Sequence, residues 1–194
     1  GLRLGGADDL RRLVERVHQA GMHVILDGVF HHVGRDFWAF RDLRVNGASS
    51  AYRSWFRGVD FSSDNRFGDG FVYHAWEGHE ELVALDLTNP DVVEHILGAV
   101  EWMMRDLDID GLRLDVAYLL DGGFMELLRA RTDAVSAETG TEGFWLMGEA
   151  IHGDYTEIAS PNRLHSATNY ECYKGLWSSH NDRNFFEIAH SLSR

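Results

Sequence analysis

Residues 108–120 read DIDGLRLDVAYLL. Ile109, Leu112, Leu114, Val116 and Leu119 give the stretch the apolar density of a buried strand, yet Arg113 and Asp115 interrupt it. An unpaired buried charge costs several kcal/mol, so the interruption needs a physical reason. Side chains alternate along a strand. Gly111, Arg113 and Asp115 therefore share one face, and Leu112, Leu114 and Val116 share the other. The apolar face can pack under helices. The polar face must point where charge is tolerated, which in a closed barrel is the interior near the C-terminal mouth.

Neighbouring segments repeat the device. HVILDGVFHH (23–32) places Asp27 late in a short apolar strand, and FWLMGEAIH (144–152) ends its strand on Glu149, with Trp145 and Met147 on the same face. Arg113 with Asp115 alone reads as a structural ion pair. Three carboxylates on strand ends, with an arginine and two histidines among them, point to a shared polar pocket.

Helices separate these strands. ADDLRRLVERVHQAG (7–21) spaces Leu10, Leu13, Val14 and Val17 at helical intervals, with Asp8 as its expected cap and Gly21 as its stop. NPDVVEHILGAVEWMMRDL (89–107) is a second helix, capped by Asn89 with Pro90 in its first turn. GGFMELLRARTDAVSAETG (122–140) is a third. SATNYECYKGLW (166–177) reads as a weaker fourth strand, and DRNFFEIAHSLSR (182–194) as a last helix. Strands alternating with helices predict an α/β fold with a parallel sheet. An open doubly wound sheet and a (β/α)8 TIM barrel compete. No Gly-rich dinucleotide fingerprint follows any strand, which weakens the nucleotide-binding version and with it an oxidoreductase.

Residues 33–89 break the rhythm with 57 residues of little periodicity, 11 of them aromatic. A structureless loop of that length is improbable in a compact domain. The stretch is expected to be a small subdomain inserted after the first strand, between barrel segments 1–32 and 90–194. Its aromatics either form the core of a module short of aliphatics or line a sugar-binding cleft.

Composition narrows the partners. The 194 residues carry a net charge of −13, from 31 acidic and 18 basic side chains. Such a surface repels phosphate backbones, so nucleic acid is not an expected partner; a neutral substrate suits it. No run of 18 apolar residues exists, so no membrane span is expected. Cys172, the only cysteine, excludes an internal disulfide and reads as a small buried hydrophobe. The oligomeric state is not legible.

Several short motifs have plain readings. GHEEL (78–82) lacks the second histidine of a metalloprotease and reads as a loop. Asp86 and Asn89 read as caps, and DNRFGDG (64–70) as a solvated turn rather than a cation loop. Glu149 and His152 have the spacing of a bundle iron motif, but a strand precedes them; His152 is placed towards the cleft instead.

Two carboxylates without a cofactor suit glycoside hydrolysis or transfer, in which one carboxylate attacks or stabilises an oxocarbenium-like centre and a protonated partner donates to the leaving oxygen. Asp115, held near Arg113, is the expected ionised group, and Glu149, among Trp145 and Met147, the expected proton carrier.

At these residues the chain resembles the α-amylase family of glycoside hydrolases, family 13. DGVFHHVG (27–34) is similar to that family's first conserved region, GLRLDVA (111–117) to its second and LMGEA (146–150) to its third, in order and on consecutive expected strands. The resemblance implies a partial (β/α)8 TIM barrel of about four β/α units and an α-glucan or oligosaccharide substrate. It implies Asp115 as the nucleophile of a covalent glycosyl intermediate, Glu149 as general acid/base and Arg113 as the group that orients the nucleophile. It further implies His32 as a sugar ligand and Asp27 as a supporting residue. Amylase, α-1,6-glucosidase, cyclomaltodextrinase and sugar-isomerising members share these motifs, so bond specificity is left open. So is a non-catalytic relative that acts as a binding subunit, although such relatives usually lose the carboxylates retained here.

The chain also departs from the family. His31 stands where an Asn that binds calcium is usual, which puts calcium in doubt, and His31–His32 as a metal pair is disfavoured because adjacent strand residues point apart. The family's first two strands and its fourth conserved region, with a third catalytic Asp, are expected outside 1–194, so the chain reads as the middle of a catalytic domain that is inactive alone.

Overall fold

Burial sorts three consecutive residues of the decisive strand as alternation requires: Leu112 and Leu114 are fully buried, whereas Arg113 between them is half-buried. The structure, a computed structural model, describes residues 5–141 and 143–192. In chain order these residues form α1 (Ala7–Gln19), β1 (Ile25–Gly28), β2 (His32–Gly34), α2 (Trp38–Asn46), β3 (Ala75–Trp76), β4 (His79–Ala84), α3 (Pro90–Leu107), β5 (Gly111–Leu114), α4 (Gly122–Thr139), β6 (Trp145–Gly148), α5 (Tyr155–Ile158), β7 (Ser166–Ala167), α6 (Tyr170–Asn181) and α7 (Phe186–Leu192).

Four strands make one parallel sheet in the order β1-β5-β6-β7. Its register aligns Asp27 of β1 with Arg113 of β5, and Arg113 with Met147 of β6. The sheet demands close approach at two glycines. A Cβ on Gly111 would collide with the Trp145 carbonyl, and one on Gly148 would lie 2.7 Å from Leu164 and 2.8 Å from Ala117. A second, antiparallel sheet has the order β2-β4-β3 and is built wholly from residues 32–84. One apolar core joins the two, running from Phe40, Phe71 and Val83 through Val100 and Leu107 to Leu112, Leu114 and Leu146. No helix of the described residues is long and apolar enough to cross a membrane.

The helices obey their local signals. Asn89 caps α3 by accepting the Asp91 N–H at 2.9 Å, with Pro90 in the first turn. Gly140, at φ +71°, closes α4 in the left-handed conformation.

Four expectations need correction. Helix α1 is not capped by Asp8; it starts at Gly6, whose N–H donates to Asp9 at 2.9 Å. The stretch 166–177 is a strand only at Ser166–Ala167, because Asn169 accepts the Cys172 N–H at 2.8 Å and starts helix α6. Cys172 lies half-buried on that helix. The stretch 78–82 is not a loop: it forms most of β4, paired on both sides. The stretch 64–70 is the largely exposed turn expected, except that the Asp69 carboxylate is shielded in ion pairs with Arg35 at 2.8 Å and Arg44 at 3.1 Å. The expected last helix runs to Leu192; Ser193 and Arg194 lie outside the described residues.

Candidate active site

Backbone pairing continues past the strand ends and brings the carboxylates to one edge. Asp115 donates its N–H to the Gly28 carbonyl at 3.1 Å, and Glu149 donates its own to the Leu114 carbonyl at 2.8 Å. Asp115 and Glu149 thus each stand one residue beyond the C-terminal end of neighbouring strands.

The Arg113 guanidinium is the hub. Its Nη1 lies 2.7 Å from Asp27 and 2.8 Å from Asp115, and its Nη2 lies 2.8 Å from Glu149. Burial works against its charge, but the hydrogen bonds to Asp27 and Asp115 and the field of Glu149 outweigh that and raise its pKa well above the usual arginine value. Three carboxylates around one cation leave the rim with excess negative charge. Such a field favours a centre that becomes positive during reaction.

Glu149 does not sit in the apolar setting expected from Trp145 and Met147. Trp145 lies at the opposite end of β6, half-exposed and stacked on His165 with ring centroids 5.1 Å apart. Both Glu149 oxygens instead face donors. Oε1 meets Arg113 and has the Tyr170 hydroxyl at 3.5 Å, while Oε2 accepts the Val116 N–H at 3.1 Å. The carboxyl group of Glu149 therefore sits among donors rather than against apolar side chains.

The histidines line one flank. His32 opens β2, and Trp76 links it to the surface: the His32 and Trp76 centroids are 5.8 Å apart, and Trp76 stacks on His79 at 5.3 Å. The expectation that His31 and His32 point apart fails, because His31 precedes the strand; their Nδ1 atoms meet at 3.3 Å. Burial holds both imidazoles below the usual histidine pKa, so the contact joins neutral rings, one donating and one accepting. His152 is exposed, with its ring 4.6 Å from that of Tyr118. Asp86 is not a helix cap: it accepts from the Thr88 N–H and hydroxyl in the turn before α3, whose cap is Asn89.

Position 31 does not supply an oxygen ligand for calcium. Calcium takes oxygen ligands, whereas position 31 offers an imidazole whose Nδ1 is already engaged with His32. Among the described residues no three His, Cys, Asp or Glu side chains stand together as a metal site would require.

Comparison with known proteins decides the family. The family described as "Alpha amylase, catalytic domain" matches residues 3–184. The chain belongs to the α-amylase family. This family member is 32% identical over 148 residues to a cyclomaltodextrinase of Geobacillus thermopakistaniensis, covering 76% of the chain and 24% of that protein. It is 32% identical over 166 residues to an intracellular maltogenic amylase of Bacillus subtilis, covering 86% of the chain and 26% of that protein. Among solved structures, the cyclic α-maltosyl-(1→6)-maltose hydrolase of Arthrobacter globiformis, in complex with cyclic α-maltosyl-(1→6)-maltose, superposes with a TM-score of 0.83 at 26% identity. That match covers 98% of the chain and 41% of the hydrolase. The chain thus spans about a quarter of the length of the curated relatives it matches. The four parallel strands of the α-amylase family chain are a partial (β/α)8 barrel, with Asp115 and Glu149 at the edge where such barrels place chemistry.

Three further residues reach this edge, and two of them, Tyr170 and Tyr118, have no motif to announce them. Tyr170 reaches Glu149 from helix α6, Tyr118 contacts His152 from the turn after β5, and Val116 donates from its backbone. Only the Val116 contact had a sequence signal, its place directly after Asp115.

Proposed function

We propose that the intact protein is a retaining α-glucan hydrolase or transglycosylase acting on α-linked gluco-oligosaccharides by double displacement. One observation carries this: a single guanidinium, Arg113, bonds Asp115 and Glu149 on adjoining strand ends. The bridge brings two carboxylates within reach of one glycosidic linkage, and the family resemblance supplies the expectation of retention. The names of the relatives, a cyclomaltodextrinase and a maltogenic amylase, support the substrate class.

In this reaction Asp115 attacks the anomeric carbon, and Glu149, once protonated, gives its proton to the departing glycosidic oxygen. A covalent glycosyl–Asp115 ester results. Glu149, now a carboxylate, takes a proton from water or from an acceptor sugar hydroxyl, whose oxygen displaces Asp115 and restores the enzyme. Arg113 bonds Asp115 and keeps it aimed. Binding of the sugar separates Glu149 from Arg113, so that Oε1 can carry the proton. His32, buried and neutral beside Trp76, donates to a sugar hydroxyl at the innermost position, and His152, exposed beside Tyr118, is assigned to the same cleft. Asp27 anchors Arg113 through Nη1, the nitrogen that also bonds Asp115. Residues 33–89 act as an inserted subdomain that forms one wall, between barrel segments 1–32 and 90–194.

The test incubates the intact protein with a panel of α-1,4- and α-1,6-linked oligosaccharides and follows the products by NMR. The expected result is α-anomeric product, with turnover abolished by Asp115→Asn and by Glu149→Gln. Initial β-anomeric product, or unchanged turnover in either variant, refutes the proposal.

A further inference from the structure

Val116 occupies the left-handed helical region, at φ +42° and ψ +45°. A β-branched residue is a genuine outlier there, because its branched Cβ crowds the backbone. Its side chain is buried, so solvent exposure does not explain the choice. Glycine would adopt the same turn freely, yet the chain keeps valine and the strain. Backbone strain of this kind persists only where the surroundings impose it, and it clusters at functional sites.

The consequence of the turn is visible in its hydrogen bonds. Successive N–H groups of an extended strand point to opposite neighbours. Up to Asp115 this rule holds, since the Asp115 N–H turns towards β1 and bonds Gly28. At Val116 it stops. The N–H of Val116 donates to Glu149 Oε2 at 3.1 Å, and the next N–H, of Ala117, donates to the Glu149 backbone carbonyl at 2.9 Å. Two consecutive donors thus grip one residue, the first by its side chain and the second by its main chain. A chain that stayed extended would turn the second donor away. The Leu119 N–H closes the turn on the Val116 carbonyl at 2.8 Å and locks it.

We propose that the left-handed backbone of Val116 is a positioning device for Glu149, fixing the carboxyl group of the acid/base against the strand end that carries the nucleophile. The proposal rests on the glycosidase reading above. It assigns the two oxygens of Glu149 different duties: Oε2 stays an acceptor for a fixed backbone donor, and Oε1 is left to exchange the proton with the glycosidic oxygen. Val116 acts through Glu149 and does not itself touch substrate.

The direct test replaces the Val116 residue in the intact protein by its α-hydroxy acid, which turns the amide into an ester. This removes the N–H and keeps side chain and φ. Two substrates are compared by kcat/KM: a maltooligosaccharide, whose leaving oxygen needs a proton, and 2,4-dinitrophenyl α-maltoside, whose phenolate leaves without one. General acid help contributes about 100-fold or more, and misplacing the acid is expected to remove about 10-fold of that on the oligosaccharide. The loss on the activated maltoside is expected to be roughly threefold at most. Equal loss on both substrates, or loss on neither, overturns the proposal. A wild-type protein inactive on both overturns the glycosidase reading itself, which separates the two failures. A second measurement does not depend on the ester: in the structure of Val116→Gly, position 116 is expected to keep a positive φ and its bond to Glu149. Relaxation to negative φ with an unchanged ratio between the two substrates overturns the proposal independently.

Discussion

Nη2 of Arg113 lies 2.8 Å from Oε1 of Glu149, across the boundary between two neighbouring parallel strands. The same guanidinium holds Asp115 and Asp27 through its other nitrogen. Only a planar fork with several donors can meet three carboxylates in this way. Arg113→Lys is therefore not conservative. A lysine ammonium reaches one or two of them and leaves Asp115 free to rotate. In the intact protein kcat is expected to fall by about 100-fold or more, the scale of losing an orienting contact to the reacting group. Steady-state kinetics check this; a loss below about threefold would deny Arg113 its orienting part.

Gly148, the residue before Glu149, has no room for a methyl group: its Cβ would meet Leu164, Ala117 and Ile158 within 3.1 Å. Gly148→Ala is expected to destabilise the fold by about 1–3 kcal/mol, the usual cost of overpacking a filled core. Urea unfolding followed by tryptophan fluorescence measures it. Activity is expected to drop as well, because the displaced backbone carries Glu149 with it.

The parallel sheet was legible because β5 and β6 alternate cleanly and end on carboxylates. Other features were hidden for separate physical reasons. In 166–177 the β-forming Tyr170, Tyr173 and Trp177 mask a helix that a single Asn169 cap decides, and all three are half-exposed or more, so no buried stripe marks them. Strand β4 was disguised by His79, Glu80 and Glu81, which a strand tolerates here because its first residues face solvent. The left-handed turn at Val116 was unreadable, since a valine gives no local signal for positive φ. Contacts such as Tyr170 with Glu149 are 21 residues apart in sequence and become visible only once α6 is placed.

Acid should weaken the fold in two stages. Burial holds His31, His32 and His165 below the usual value of 6.5. Between their folded pKa values and 6.5 the unfolded chain binds more protons, so their contribution is present above pH 6.5 and is lost as pH falls through the folded values. His18 opposes this, because its hydrogen bond to Asp110 raises its pKa and its contribution fades as pH rises. Three groups against one give a net loss on acidification. Below about pH 4 Asp69 and Asp110 follow: both are lowered from 3.8, their hydrogen bonds outweighing burial. The urea midpoint is expected to fall from pH 7.5 to pH 5.5 and again below pH 4; a flat profile across the first interval contradicts the histidine assignment.

Asp110 marks the end of the sheet remote from the carboxylates. It accepts the Val24 N–H at 2.6 Å and meets His18 at 2.9 Å and His23 at 3.0 Å, tying α1 and the start of β1 to β5. Conversion Asp110→Asn removes the charge from three contacts. About 1.5–3 kcal/mol of stability is expected to be lost, the scale of one charged hydrogen bond, with kcat within about twofold of wild type because this face stabilises rather than reacts. A large kcat effect with little change in the unfolding midpoint would contradict that division.

The nucleophile assignment is the claim most directly open to measurement. Incubating the intact protein with a 5-fluoro-α-glucosyl fluoride traps a covalent intermediate if one forms, and digestion with mass spectrometry locates the label. The expected result is one sugar per protein, esterified to Asp115, and no label in Asp115→Asn. A label on Asp27 or Glu149, or turnover with inverted anomeric product and no adduct, would contradict the account.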